Sequence, residues 1–324
     1  MPGTRHHHGG APSALPALDR HSLLIYDRTR ASFRINRNVR KESFDEDYRR
    51  DRRVDRHWLG LRQCPDRGRL TVFGSVRKQA DADRLSTEFG LNFTPLLFDV
   101  TDEAAVAAGA KQVEAALGGE TLSGLVNNAG IAVPGPLLHL KIDDFEHQLT
   151  VNVTGQLIVT QAFAPLLGVD RSRKGAPGRI VMISSVGGKN AMPFLGAYSA
   201  SKFALEGMSE SLRRELMPFG IDVIIVAPGT VATPIWDKAD TLDLTPFADS
   251  PYAPALGKLK AFMVANGRKG LPVEKLGETV KAALPLSNPK TRYTVAPNPV
   301  QNLMANTLPK RIIDRIIARQ LGLK

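Results

Sequence analysis

The chain has a single cysteine, Cys64, among 324 residues, so it can close no disulfide within itself. With no second thiol and no ligand cluster around it, a disulfide-stapled scaffold and a cysteine-based metal site are both excluded, which points to a reducing, cytoplasmic setting. Long apolar runs are missing too. Nothing approaches the ~20 residues of a membrane span, and the opening stretch MPGTRHHHGG lacks the apolar core of a secretory signal. The acidic group Glu42, Asp45, Glu46 and Asp47 argues against an Arg-rich transit peptide. His6, His7 and His8 have no second cluster near them, so they read as a solvated tail and no metal site is expected. Basic charge is plentiful but badly distributed for a binding surface: of a formal net charge of +11, +7 falls before residue 71. The remainder is only mildly basic, so no nucleic-acid partner is expected.

At 35.2 kDa and 43% hydrophobic residues, the chain can bury one large α/β core. Its character changes at Leu70. Residues 1–69 form an anomalous basic leader, and residues 70–324 read as one domain with helices at its C-terminal end. Short apolar runs, too short for helices, alternate there with helical stretches: LTVFGSV, FTPLLFDV, LSGLVNNAG, GRIVMISSVGG and IDVIIVAPG as strands, with DADRLSTEFG, an Ala-rich segment ending at Gly118 and Gly119, a long helix from about Asp143 to Leu167, and AYSASKFALEGMSESLRRELMPFG between them. Repeated βαβ units of this kind predict a doubly wound parallel sheet with helices on both faces, a Rossmann-like α/β fold. Beyond Pro228, two further helices and a last strand, TRYTVAP, are expected. The tail LPKRIIDRIIARQLGLK aligns Ile312, Ile313, Ile316, Ile317 and Leu321 beside Arg311, Arg315 and Arg319. Such a helix docks over its own cleft or a partner subunit, with peripheral membrane contact as the other use of the same pattern.

Chemistry concentrates in SSVGGKNAMPFLGAYSASK. Tyr198 and Lys202 are four apart on a predicted helix, so phenol and ammonium share a face. Ser185 ends the preceding strand, at the carboxyl edge where open α/β sheets place ligands. Reducing a carbonyl needs a proton donor near neutral pH, and a free tyrosine with pKa ≈ 10 releases its proton too reluctantly. A cation alongside favours the phenolate, and a serine hydroxyl can hold the substrate oxygen.

These residues, with NNAG at Asn127–Gly130, VNVTG containing Asn152, and PGTVATP from Pro228 to Pro234, make the chain from about Leu70 onward resemble the short-chain dehydrogenase/reductase family. The run SSVGG…YSASKFALEG is most similar to its branch of hydroxysteroid, retinol and related carbonyl reductases. The resemblance implies an NADP-dependent oxidoreductase interconverting a secondary alcohol and a ketone or aldehyde. Tyr198 would be the general acid/base, Lys202 would lower its pKa and hold the nicotinamide ribose, Ser185 would orient the carbonyl, and Asn152 would anchor a proton relay. For the cofactor, Arg77 and Lys78 after the second family strand suit the phosphate of NADP(H) over NAD(H). Asp99 would meet the adenine or cap a helix, Asn127 would line the cleft while tying the sheet, and Thr233 would approach the carboxamide or diphosphate, with Pro228 and Gly229 shaping the turn. The substrate is expected to be a small to medium apolar alcohol or carbonyl, with Pro193, Phe194, Leu195 and Trp236 as either pocket walls or packing. A homodimer or homotetramer is implied, joined through the helices 143–167 and 198–219.

One family element is absent. The first strand, its Thr-Gly-x-x-x-Gly-x-Gly turn and the first helix should occupy Arg49 to Arg69, where only Gly60 and Gly68 occur. A diphosphate needs glycine there, because the backbone must turn tightly and present its amides at a helix N-terminus. Read one base later, codons for Asp51–Trp58 are compatible with Thr-Gly-Ala-Ser-Thr-Gly-Ile-Gly, and those for Asp66–Arg69 with Ile-Glu-Ala-Gly. The leader is thus expected to be either an out-of-frame reading or a diverged segment. In the chain as written, weak NADP binding and a non-catalytic protein with a reductase fold form the alternative expectation.

Overall fold

The structure is a computed structural model that describes residues 22–27, 70–233 and 235–323. The glycine-poor interval 49–69, Cys64 and the histidine triplet lie outside the described residues. One sheet of seven strands organises the chain, in the order β3-β2-β1-β4-β5-β6-β7. The strands are β1 (Ser22–Asp27), β2 (Leu70–Val76), β3 (Phe93–Leu97), β4 (Gly124–Asn127), β5 (Arg179–Ile183), β6 (Asp222–Pro228) and β7 (Arg292–Val295). From β2 onward all strands run the same way, as the alternating pattern predicts. The central slot departs from that rule. β1 pairs antiparallel with both neighbours, Leu24 opposite Phe73 of β2 and Leu125 of β4. Part of the leader therefore fills the position of the family's first strand, in the reverse direction.

Successive residues of each central strand face opposite layers, as the two-residue period requires. Leu125, Ile180, Met182 and Val223 join one core with Val106, Val113, Val159, Phe163 and Leu205. Val126, Val181, Ile183, Ile224 and Val226 join another with Leu276, Val280 and Ala283. The first layer contains α2 (Glu103–Leu117), α3 (Ile142–Leu149), α4 (Gly155–Phe163) and α5 (Gly196–Glu215). The second is closed by α8 (Val273–Ala283), while α1 (Gln79–Phe89) covers the β2–β3 end through Ala82 and Leu85. The expected single long helix from Asp143 is interrupted: between α3 and α4 lies a π-helical turn, Thr150–Thr154, whose widened backbone carries Asn152.

A satellite core forms past β6, where α6 (Ile235–Asp240) leads to α7 (Ala253–Gly267). Ala255, Leu256 and Leu259 of α7 pack with Phe194 and with Leu321 of the last helix, α10 (Lys310–Leu321). The tail's isoleucine stripe is split by this docking: Ile317 packs inward with Leu321, whereas Ile312 and Ile316 stay 42% and 44% exposed. Asn306 of α9 (Pro299–Thr307) accepts a hydrogen bond from Asn190 at 2.8 Å, and Lys310 donates to Asn190 at 3.0 Å. The C-terminal helices are thereby tied to the segment that follows Ser185. No helix among the described residues is long and apolar enough to cross a membrane.

Candidate active site

Three elements converge at the carboxyl ends of β4 and β5. β5 delivers Ser185 two residues past its end, where Ser185 Oγ accepts from the Gly187 amide at 3.0 Å and opens a tight turn, Val186–Gly188. α5 delivers Tyr198 and Lys202 from its first two turns. The π turn delivers Asn152. A Cβ built on Gly187 would lie 3.3 Å from Ser185 Oγ and 3.4 Å from Tyr198 Cε1, so serine and phenol ring both border this glycine. A Cβ on Gly130 would lie 3.4 Å from Asn152 Oδ1 and 3.7 Å from Lys202 Nζ. The structure thus brings together the four residues that the sequence singled out, Asn152, Ser185, Tyr198 and Lys202.

Each is held by identifiable contacts. Asn152 is fully buried; its Oδ1 accepts from the Ile131 amide at 2.7 Å, and its Nδ2 donates to the Ile131 carbonyl and to Ser201 Oγ, both at 2.9 Å. Gln148 lies one helical turn before it and bonds Val133 N and Ile131 O, both at 2.7 Å, while Gln156, one turn after, donates to the Ala129 carbonyl. These three buried amides, four residues apart, clamp the loop after β4 through its backbone. Lys202 is 5% exposed, and its ammonium donates to the Ile183 carbonyl at 2.9 Å.

Burial pushes the Lys202 ammonium down from 10.5 to about 8, with the Glu206 carboxylate opposing the fall. Burial likewise raises the Tyr198 phenol above its ordinary value, with the Ser185 hydroxyl pulling the other way. This differs from the expectation that lysine lowers the tyrosine. The reason is physical: desolvation penalises both charged forms, and Lys202 Nζ lies 5.8 Å from the Tyr198 ring centroid, with one of its three hydrogens directed at the Ile183 carbonyl.

Cofactor candidates occupy the same sheet edge. Arg77 faces solvent after β2, with Nη1 3.9 Å from Asp99 Oδ2, and Lys78 is exposed beside it. Asp99 does not cap the following helix: its Oδ1 accepts from Thr101 N at 3.1 Å and Thr101 Oγ1 at 2.9 Å, and the cap of α2 is Asp102, which accepts from Ala105 N at 2.9 Å. Asn127 is wholly buried, donating to Thr160 Oγ1 at 2.8 Å, so it ties the sheet to α4, while its own Oδ1 has no hydrogen-bond partner among the described residues. Pro228 ends β6, where the Gly229 amide donates to the Val295 carbonyl at 2.8 Å, and the Thr233 carbonyl accepts from Trp236 N at 3.3 Å. Of the suggested pocket walls, Phe194 is 8% exposed and stacks edge-on against Tyr252, and Trp236 donates to the Val231 carbonyl at 2.7 Å while packing on Gly267. Both serve as packing for α6 and α7.

These residues fit the two ends of a nicotinamide dinucleotide better than its middle. Arg77, Lys78 and Asp99 lie at one end, and Asn152, Tyr198 and Lys202 at the other. Between them, the family's diphosphate turn follows a parallel central strand. Here the strand in that slot is reversed, so Ser22 at its start lies opposite Asn127 at the carboxyl edge, and no glycine-rich turn leads from it into a helix among the described residues.

A sequence model described as short chain dehydrogenase matches residues 67–242, more than half of the chain. The chain belongs to the short-chain dehydrogenase/reductase family. It is 38% identical over 253 residues to the NADPH-dependent 3-dehydrocapnine reductase of Ornithobacterium rhinotracheale, covering 78% of this chain and 89% of that protein. It is 36% identical to mouse (Mus musculus) retinol dehydrogenase 5, covering 68% and 71%. Among solved structures, a short-chain dehydrogenase from Streptomyces avermitilis superimposes with a TM-score of 0.59 at 25% identity, covering 77% of this chain and 85% of that one. As a family member the chain is an NAD(P)-dependent oxidoreductase by descent.

Sequence reasoning missed two residues that the site depends on. Glu206, one turn beyond Lys202, accepts from Ser184 Oγ at 2.9 Å and from Arg292 Nη2 of β7 at 2.9 Å. The i+4 spacing after Lys202 could have flagged Glu206; nothing in the sequence marks Arg292, which arrives from 86 residues away.

Proposed function

We propose that this protein is an NADP-preferring reductase that interconverts an apolar ketone or aldehyde and its alcohol, with Tyr198 as the proton donor. The observation that carries the reading is the convergence of Ser185, Tyr198 and Lys202 with the buried Asn152 clamp at one sheet edge. Ser185 presents a hydroxyl to the substrate oxygen, and Tyr198 hands it a proton as negative charge develops there. Lys202 places a positive charge 5.8 Å from the Tyr198 ring, which works against the desolvation that otherwise holds the phenolic proton. Asn152 fixes the Ala129–Val133 loop and, through Ser201, the start of α5. When bound, the nicotinamide would supply the hydride, with Lys202 and Tyr198 at its ribose and Arg77 and Lys78 at the adenine-side phosphate. The NADPH-dependent relative supports the cofactor preference, and the solvent-facing Arg77 supplies its physical reason. A homodimer or homotetramer formed through the outer helices belongs to the same proposal.

A second reading rests on one observation, the reversed central strand. Without a parallel strand feeding a glycine turn, the chain is a reductase-fold protein that holds dinucleotide weakly and binds without turnover. Titrating the purified chain with NADPH and NADH, then assaying both with a panel of apolar ketones, separates the readings. Micromolar NADPH binding with ketone-dependent oxidation supports the first, and neither binding nor turnover supports the second.

A further inference from the structure

Glu206 is nearly buried, at 9% exposure, in the heart of the site, and the mechanism above leaves it without a task. It is gripped on several sides. Arg292 donates through Nε to Oε2 at 3.0 Å and through Nη2 to Oε1 at 2.9 Å, a two-pronged pairing that fixes the plane of the carboxylate. Ser184 Oγ donates to Oε1 at 2.9 Å. Arg292 also reaches Thr294 Oγ1 at 2.5 Å and, more weakly, the Ser185 carbonyl at 3.5 Å. The tight turn after Ser185 closes directly over this group: a Cβ on Gly188 would lie 2.8 Å from Ser184 Oγ, 2.9 Å from Glu206 Oε1 and 3.1 Å from the Lys202 carbonyl.

We propose that Glu206 is a positioning residue for the reaction, aimed by Arg292: one helical turn from Lys202 on the same buried face of α5, its carboxylate is the counter-charge to that lysine and seats the Ser184–Gly188 turn that presents Ser185. A salt bridge used only as a structural post would need no second cation one helical turn away. Here the acid has two, Lys202 four residues earlier on the same buried face of α5 and Arg292 on β7, and the titratable Tyr198 has its ring 5.8 Å from Lys202 Nζ. The direction of its influence agrees, since Glu206 is what opposes the desolvation of Lys202. The proposal rests on the reductase reading for its catalytic meaning, but the electrostatic coupling can be measured without turnover.

The test is the NMR titration of the Lys202 side chain in the full-length protein carrying isotopically labelled lysine, its signal assigned by its loss in Lys202→Arg. Glu206→Gln is expected to lower the Lys202 midpoint by about 1 pH unit or more, the usual reach of a close opposite charge. Glu206→Asp, which keeps the charge, is expected to stay nearer the wild type. A loosened structure would instead hydrate the amine and move its midpoint upward. If Glu206→Gln does not fold, Glu206→Gln with Arg292→Gln removes the acid without stranding a guanidinium, and a smaller fall is expected. An unchanged or raised midpoint overturns the proposal, as does failure of both variants to fold, which would make Glu206 a structural post. If wild-type protein shows no NADPH oxidation while the midpoint still falls in Glu206→Gln, the coupling stands and the reductase reading fails.

Discussion

Replacing Lys202 with methionine should make the folded chain less dependent on pH, and the size of the effect follows from the burial of its amine. The Lys202 ammonium sits at about 8 in the fold against 10.5 when solvated. Each pH unit of difference corresponds to 1.36 kcal/mol, so keeping this lysine charged at pH 7 costs the folded state about 3 kcal/mol. An amine whose folded value is depressed binds its proton more weakly than the unfolded chain does, so stability rises with pH between the two values. Across pH 7 to 10 this one group should add about 2–3 kcal/mol to the wild type. Methionine keeps the length and the packing but has no proton to lose. It also gives up the 2.9 Å bond to the Ile183 carbonyl, at about 1 kcal/mol, a loss that does not vary with pH. Urea unfolding of both proteins at pH 7, 8, 9 and 10 is the assay. The wild type should gain on Lys202→Met by about 2–3 kcal/mol over that range. Parallel stability curves would show that the lysine is not desolvated as its burial implies, and the reasoning would be wrong.

Other consequences are as specific. Asn152→Ala removes three buried hydrogen bonds and strands both backbone groups of Ile131, so urea unfolding should show a loss of about 3 kcal/mol; a loss under ~1 kcal/mol would mean that the loop is held elsewhere. Gly188→Ala places a methyl group 2.8–3.1 Å from Ser184, Glu206 and the Lys202 carbonyl, so turnover should fall at least about tenfold with a cooperative melt retained, whereas full activity would show that the turn is free to shift. Arg77→Glu should raise the KM for NADPH about tenfold or more while sparing NADH, and an equal change for both would remove Arg77 from the phosphate site. Ile25→Pro deletes a ladder donor from a strand paired on both edges, so stability should drop by ~3 kcal/mol or more; an unchanged melting temperature would show that β1 contributes nothing to the central slot.

The parallel strands from Leu70 onward were legible because the central ones are short, doubly buried apolar runs whose alternate residues feed two cores. The Ser185, Tyr198 and Lys202 set was legible for a similar reason: helical spacing and a strand end place chemistry by local rules alone. What escaped was long-range. Arg292 reaches Glu206 across 86 residues, and no local pattern encodes that pairing. The reversed strand at Ser22–Asp27 also escaped, because a six-residue stretch with four apolar residues at its centre carries no information on direction; that depends on which edges of β2 and β4 it meets. The tail helix showed its amphipathic face but not how that face divides, since only the packing of α7 and Phe194 decides that Ile317 turns inward and Ile316 does not.

The most direct measurement of the central claim is hydride transfer itself. The full chain is incubated with NADPH deuterated at the transferring position and an apolar ketone, beside Tyr198→Phe, and deuterium in the alcohol product is read by mass spectrometry. The account predicts labelled alcohol from the wild type and a rate about 100-fold or more lower from Tyr198→Phe, the usual worth of a positioned proton donor. Equal label in both proteins, or none in either at saturating NADPH, would contradict it.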